Sequence, residues 1–209
     1  MQTLDWYFDF VSPYSYLQHE ILHTLDAQIR YQPVLFAGLL NAWGHKGPAE
    51  IPQKRRHTYR QVLWLAKQQG IPIKFPPAHP FNPLRALRLA IALDSDSKVI
   101  ATIFRFIWQQ GRLIEDDASW QALCDELKVP DAEARIAAPQ VKEILRRNGE
   151  TALARGVFGV PTAIVEGELF WGFDATGMLK SHLSNPQLFK QGEMQRVSDL
   201  PAASERRQK

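Results

Sequence analysis

An apolar, aromatic-rich run, Trp6-Tyr7-Phe8-Asp9-Phe10-Val11, stops at Ser12, and Pro13 follows at once. The run has the composition of a strand, and Ser-Pro is the signature of a helix start. Serine accepts hydrogen bonds from the first free amides, while proline fits the first helical position, where its missing N–H is not needed. Leu17, Ile21 and Leu25 recur at four-residue spacing and carry that helix onward with one buried face. Ser12 is therefore expected where a strand hands over to a helix. Amide N–H groups and the positive end of the helix dipole converge there, and an anion is stabilised. Most serines so placed are only caps. A function at Ser12 needs a second group of residues, and the segment from Gly156 to Gly172 supplies it.

Between these ends the chain predicts one strand and a long helical block. Ile29 to Leu35 alternates apolar and polar residues, the period of a strand. Gly38 to Pro52 carries Gly, Pro and Asn punctuation and reads as a loop, with Gly44-His45-Lys46-Gly47-Pro48 mobile enough to reach over a site. A helix is expected from Pro52 to Gln69, buried along Val62, Leu65 and Ala66 and ended by Gly70. Ile71 to Pro77 is a proline-locked connector. Asn82-Pro83 repeats the cap-then-proline signal and opens a helix through Leu84, Leu87, Ala90, Ile91 and Leu93. Further helices follow through Ile100 to Trp108 and at about residues 117 to 127, 131 to 137 and 140 to 155. The chain then reads strand (Thr162 to Val165), tight turn, strand (Leu169 to Trp171) and a short helix carrying Met178, Leu179 and Leu183.

A βαβ unit at one end, a β-hairpin plus helix at the other and helices between is the plan of an α/β thioredoxin-like fold with an inserted all-helical domain. Residues 1–38 and 156–190 form the discontinuous thioredoxin-like domain on this reading, and 39–155 the insertion. Residues 191–209 are polar and expected to be disordered. In this plan the strand-to-helix junction faces a loop ending in proline before the third strand. Val160-Pro161 is the candidate, and a cis proline there presents the Val160 main chain to an extended ligand.

Several function classes fall away. A net charge of +3 on 209 residues is too small to imply nucleic acid binding. The one basic cluster, Lys54 to Arg60, lacks regularly spaced aromatic partners for bases. No run of eighteen apolar residues is present to span a membrane, and no signal peptide pattern opens the chain, so a cytoplasmic location is expected. Cys124 is the single cysteine and sits in an apolar helical pattern; it forms no Cys-x-x-Cys pair. His19 and His23 stand at i, i+4 without an accompanying Glu or Cys motif, so no metal site is expected.

Four stretches together resemble the 2-hydroxychromene-2-carboxylate isomerases: Phe8 to Tyr16, Gly70-Ile71-Pro72 with Phe75-Pro76, Val157 to Pro161, and Phe170 to Asp174. These proteins are relatives of kappa-class glutathione transferases and of DsbA-type disulfide oxidoreductases. The resemblance implies a glutathione-dependent isomerase in which Ser12 and Ser15 take the places of the two cysteines of Cys-x-x-Cys. A hydroxyl cannot shuttle electrons, but it can donate a hydrogen bond to the thiolate of bound glutathione. It further implies that Val160, before Pro161, pairs with the cysteinyl part of glutathione through its backbone. Trp171, Gly172, Phe173 and Asp174 match the segment at the γ-glutamyl end, with Asp174 on the α-ammonium. Phe173 and Ala175 depart from the residues common there, as His45 does in its loop. His45, Lys46, Lys54, Asn82 and Arg88 are the candidates for the carboxylates of glutathione and of a small anionic aromatic substrate. The family's habit implies a homodimer. A kappa-like transferase or peroxidase, and a non-catalytic thioredoxin-fold binding protein, are the alternative readings.

Overall fold

Side-chain alternation along β1 (Gln2–Phe8) decides the layering of the molecule. In the computed structural model, which describes residues 1–204, Leu4, Trp6 and Phe8 enter one hydrophobic cluster and Tyr7 enters another. β1 runs parallel to β2 (Ala27–Pro33), with Trp6 opposite Tyr31, and antiparallel to β3 (Thr162–Val165), with Trp6 opposite Ala163. β3 pairs antiparallel with β4 (Glu168–Trp171), which gives the sheet order β2-β1-β3-β4. The two halves of the sheet come from opposite ends of the chain and meet at β1 and β3.

On the first face, Phe8 and Phe10 pack on Phe104, with the Phe10 and Phe104 ring centroids 4.7 Å apart. Phe104 belongs to α5 (Ser97–Trp108), and α1 (Pro13–Ile21) packs beside it. That cluster continues without a break through Leu87, Trp108, Trp120, Ile136 and Leu145, so the helical block and the sheet share one core. On the other face, Tyr7 and Ile164 bury with Val34, Leu39, Ala152, Val157 and Val160. This smaller cluster lies beneath α2 (Phe36–Ala42) and α8 (Pro139–Ala154).

The helical block follows the expected order: α3 (Pro52–Gln69), α4 (Leu84–Ala92), α5, α6 (Asp117–Leu127), α7 (Ala132–Ala137) and α8. Pro52 starts α3, and Gly70 ends it in the left-handed region at φ 65°, which glycine adopts without steric cost. Four details differ from the sequence reading. Phe36 to Ala42 is helical rather than part of a loop, because Leu39 has a core to enter and the Asp9 carboxylate accepts from the Phe36 N–H at 2.8 Å. β2 lies two residues earlier than the alternating pattern suggests. α1 stops at Ile21, and Leu25 is buried after a 3₁₀ turn instead of on the helix. After α9 (Thr176–Ser184), an exposed helix α10 (Gly192–Ser198) stands in the stretch expected to be disordered; residues 205–209 lie outside the described residues. Among the described residues no helix is long and apolar enough to cross a membrane.

Candidate active site

Ser12 is the N-cap of α1, with extended backbone (φ −89°, ψ 114°), and its Oγ accepts from the Ser15 N–H at 3.2 Å. The same Oγ lies 3.5 Å from the Val160 carbonyl oxygen, a long hydrogen bond across most of the chain. The Val160–Pro161 peptide is cis. Junction and proline loop thus face each other. The Val160 N–H and C=O enter no backbone–backbone hydrogen bond among the described residues, although the residue is buried. Such groups are ordinarily paired, so this edge has capacity for an extended ligand.

The segment between β1 and α1 belongs to neither element, yet much of its main chain is held by bonds from outside both. Ser12 N–H donates to the Asp9 carbonyl at 3.1 Å. Val11 N–H donates to Asp9 Oδ1 at 3.0 Å. From the helical block, the Trp108 indole donates to the Phe10 carbonyl at 2.8 Å, and His79 Nε2 meets the Val11 carbonyl at 2.8 Å. Burial drives the Asp9 carboxyl up to about 7, because only backbone N–H groups of Phe36, Val11 and Phe10 offset its desolvation. No cation faces it among the described residues. Burial likewise lowers the His79 imidazole, against the contribution of the Val11 carbonyl.

The C-terminal hairpin brings the third part. Gly172 N–H donates to the Pro161 carbonyl at 2.8 Å and ties the end of β4 to the proline loop. Trp171 is half exposed, and its indole lies over Gly159, where a Cβ would come 2.6 Å from Nε1. Gly172 has φ 93°, and a Cβ there would collide with the Asp174 carboxylate. Asp174 itself is exposed, and its charge adds to burial in raising the Tyr14 hydroxyl above its ordinary value. Asp174 and the start of α1 are therefore neighbours. Gln18, fully buried, locks this corner: it accepts from Trp6 Nε1 at 2.7 Å and donates to the Gly172 carbonyl at 3.1 Å and to Thr176 Oγ1 at 3.0 Å.

The structure thus brings Ser12, Val160, Pro161, Trp171, Gly172 and Asp174 to one corner. Phe173 turns into the core. His45 and Lys46 are exposed in the loop after α2, and Trp43 moors that loop through a 3.0 Å bond from its indole to the Val157 carbonyl. Lys54 is exposed on α3. Asn82 caps α4 by accepting from the Leu84 N–H at 3.0 Å. Arg88 is partly buried on α4, with Nε unpaired among the described residues. Asp9, Gln18, His79 and Trp108 were not legible as site residues, since their partners are main-chain or side-chain groups far along the chain. Among the described residues, no three His, Cys, Asp or Glu side chains gather to hold a metal ion.

A parallel β1-α1-β2 unit, an antiparallel hairpin and a cis proline opposite the first helix define a thioredoxin-type fold. The family model of the DSBA-like thioredoxin domain matches residues 3–184. The chain is 30% identical over 189 residues to a 2-hydroxychromene-2-carboxylate isomerase of Pseudomonas putida, covering 85% of this chain and 92% of that one. It is 26% identical over 204 residues to glutathione S-transferase kappa 1 of Homo sapiens, covering 87% and 90%. A solved 2-hydroxychromene-2-carboxylate isomerase shares the fold at a TM-score of 0.77 and 23% identity, over 96% of this chain and all of that one. The chain belongs to the 2-hydroxychromene-2-carboxylate isomerase family, within the DSBA-like thioredoxin proteins. It is a member of an enzyme family, isomerases by name.

Proposed function

We propose that this protein is a glutathione-dependent isomerase of the 2-hydroxychromene-2-carboxylate type, acting on a small anionic aromatic compound. The observation that carries the reading is the meeting of the Ser12 hydroxyl with the Val160 main chain at the N-terminus of α1. Glutathione held there would supply a thiolate nucleophile for reversible addition to an unsaturated carbon, the chemistry that permits rotation before elimination.

The residues present fit that group. Ser12 Oγ accepts from the Ser15 amide, which polarises its O–H, and its bond to Val160 is long enough to be exchanged for a better acceptor. A thiolate at the first turn of α1 also gains from the helix dipole. The Val160 N–H and C=O are placed to pair with the cysteinyl backbone, as a sheet edge pairs with a peptide. Asp174 offers a carboxylate to an α-ammonium group, and glycine at position 172 lets it lie close. Burial keeps Asp9 largely protonated below a pH of about 7, which spares the anion site a like charge.

His45, Lys46 and Lys54, with Asn82 and Arg88 at the start and middle of α4, supply cations and donors for carboxylates. Arg55, Tyr59, Phe75 and His79 line a groove of about 560 Å³ between α3 and the connector, within the size range of small-molecule sites. With the same reading go a cytoplasmic location and a homodimer.

Calorimetry with glutathione and an optical assay of hydroxychromene isomerisation test the proposal. Micromolar to millimolar glutathione binding with turnover that Ser12→Ala lowers about 100-fold supports it. Glutathione binding with conjugation or peroxide reduction but no isomerisation transfers the assignment to the kappa-like reading. No glutathione binding leaves only a binding protein.

A further inference from the structure

We infer that His79 is a positioning residue for Ser12, acting through the Val11 carbonyl and held by Tyr59; the inference rests on Ser12 being the site's hydroxyl. A carbonyl oxygen only accepts, so the His79 nitrogen 2.8 Å from Val11 O, Nε2, carries the hydrogen. Nδ1 of the neutral ring is then an acceptor, and the Tyr59 hydroxyl stands 2.6 Å from it. The same hydroxyl is 2.9 Å from the His79 carbonyl, so its single hydrogen serves the ring nitrogen or the backbone oxygen of this one residue, or is bifurcated between them. Four rings box the imidazole in, with centroids 5.3 Å (Tyr59), 6.2 Å (Phe75), 6.0 Å (Phe81) and 5.4 Å (Trp108) away.

The Val11 carbonyl and the Ser12 N–H are two edges of one rigid peptide unit. The N–H edge is held by the Asp9 carbonyl, and the C=O edge by His79. Neither β1, which ends at Phe8, nor α1, which starts at Pro13, reaches that carbonyl. The orientation of this plane sets where the Ser12 side chain leaves the main chain, and hence where its hydroxyl points. Trp108 secures the preceding carbonyl but not this plane. His79 sits on the connector between α3 and α4, so the helical block itself aims the Ser12 hydroxyl.

The test uses His79→Ala, His79→Gln and Tyr59→Phe in the full chain. Amide hydrogen exchange at Ser12 and Ser15 is read in the free protein, and kcat, KM for glutathione and the pKa of the bound thiol in the working enzyme. His79→Ala is expected to speed exchange at Ser12 and to lower kcat about tenfold, as a small misplacement of a reacting group does, with KM for glutathione nearly unchanged and the bound thiol pKa raised. His79→Gln, whose amide N–H can replace Nε2–H, is expected to restore most of both, and Tyr59→Phe to fall between. Wild-type exchange at Ser12 and wild-type kcat in His79→Ala would overturn the inference. So would a loss that Gln fails to rescue and that follows only the melting temperature. If His79→Ala does not fold, Gln and Phe carry the same comparison. If the wild-type protein binds no glutathione, the proposed function fails, while the exchange comparison still decides the role of His79.

Discussion

Asp5 and Asp9 are both buried acids of the opening strand and its exit, and their surroundings are opposites. At Asp5 the Arg30 guanidinium binds both oxygens, at 2.7 and 2.8 Å, and Arg155 adds a third bond at 2.6 Å while also reaching the Tyr7 hydroxyl at 2.9 Å. Burial pushes that carboxyl up, but the two arginines more than cancel it, and it ends below its ordinary value. At Asp9 there is burial and there are amides, with no cation among the described residues, and the carboxyl rises to about 7. The difference separates architecture from site. Where β1 fastens β2 to the C-terminal end of α8, each charge is matched; where it opens toward Ser12, spare hydrogen-bonding capacity and an unmatched acid remain.

The largest expected effect is a stability trend of opposite sign at the two acids. Asp9 binds its proton more tightly folded than unfolded, so its contribution is full below its unfolded value near 3.8 and is lost as pH rises through about 7. That loss is on the order of 4 kcal/mol if Asp9 acts alone. Asp9→Asn should be less stable than wild type at pH 5, having lost an acceptor, and should close or reverse the gap at pH 8. Asp5 is the converse: its contribution is present above 3.8 and disappears as pH falls through its lowered folded value. Urea melts across pH check both, and parallel slopes in the two variants would break the contrast.

Next in size is the effect on turnover. Ser12→Ala should lower it about 100-fold, or ~3 kcal/mol, the scale of losing one donor to a developing or resident anion, while the lost N-cap of α1 costs only about 1 kcal/mol of stability. Asp5→Asn should do the reverse, costing about 2 kcal/mol of stability with the turnover of folded molecules intact. The arginines around Asp5 are partly exposed, which keeps that cost below the one for a fully buried pair. Steady-state kinetics beside denaturant melts separates them. Smallest is Gly172→Ala, which forces a left-handed alanine against Asp174. About 1 kcal/mol of stability should go, with a several-fold weaker glutathione affinity measured by calorimetry.

Legibility from sequence divides along the same line between local and distant causes. The Ser12-Pro13 junction, the start of α3 at Pro52 and its end at Gly70 are decided by neighbouring residues, and all could be read directly. The α/β plan followed because strand and helix periods change at the right places. α2 was hidden because Gly38 and Asn41 look like loop punctuation, while the carboxylate that satisfies its first amide comes from Asp9. Gln18, His79 and Trp108 have partners at Gly172, Val11 and Phe10, and no spacing rule connects them. Phe173 reads as a site residue by its place beside Asp174; the left-handed Gly172 (φ 93°) breaks the strand alternation after β4, and the Phe173 side chain is buried in the same cluster as Phe170 instead of standing beside the half-exposed Trp171.

The most direct measurement is the ionisation of glutathione on the protein, followed by the ultraviolet absorbance of its thiolate across pH. A free thiol titrates near 8.5, and the account predicts a bound value at least about one unit lower in the wild type, returning toward the free value in Ser12→Ala. A bound thiol that titrates like free glutathione, or one that the Ser12→Ala change leaves unmoved, would contradict it.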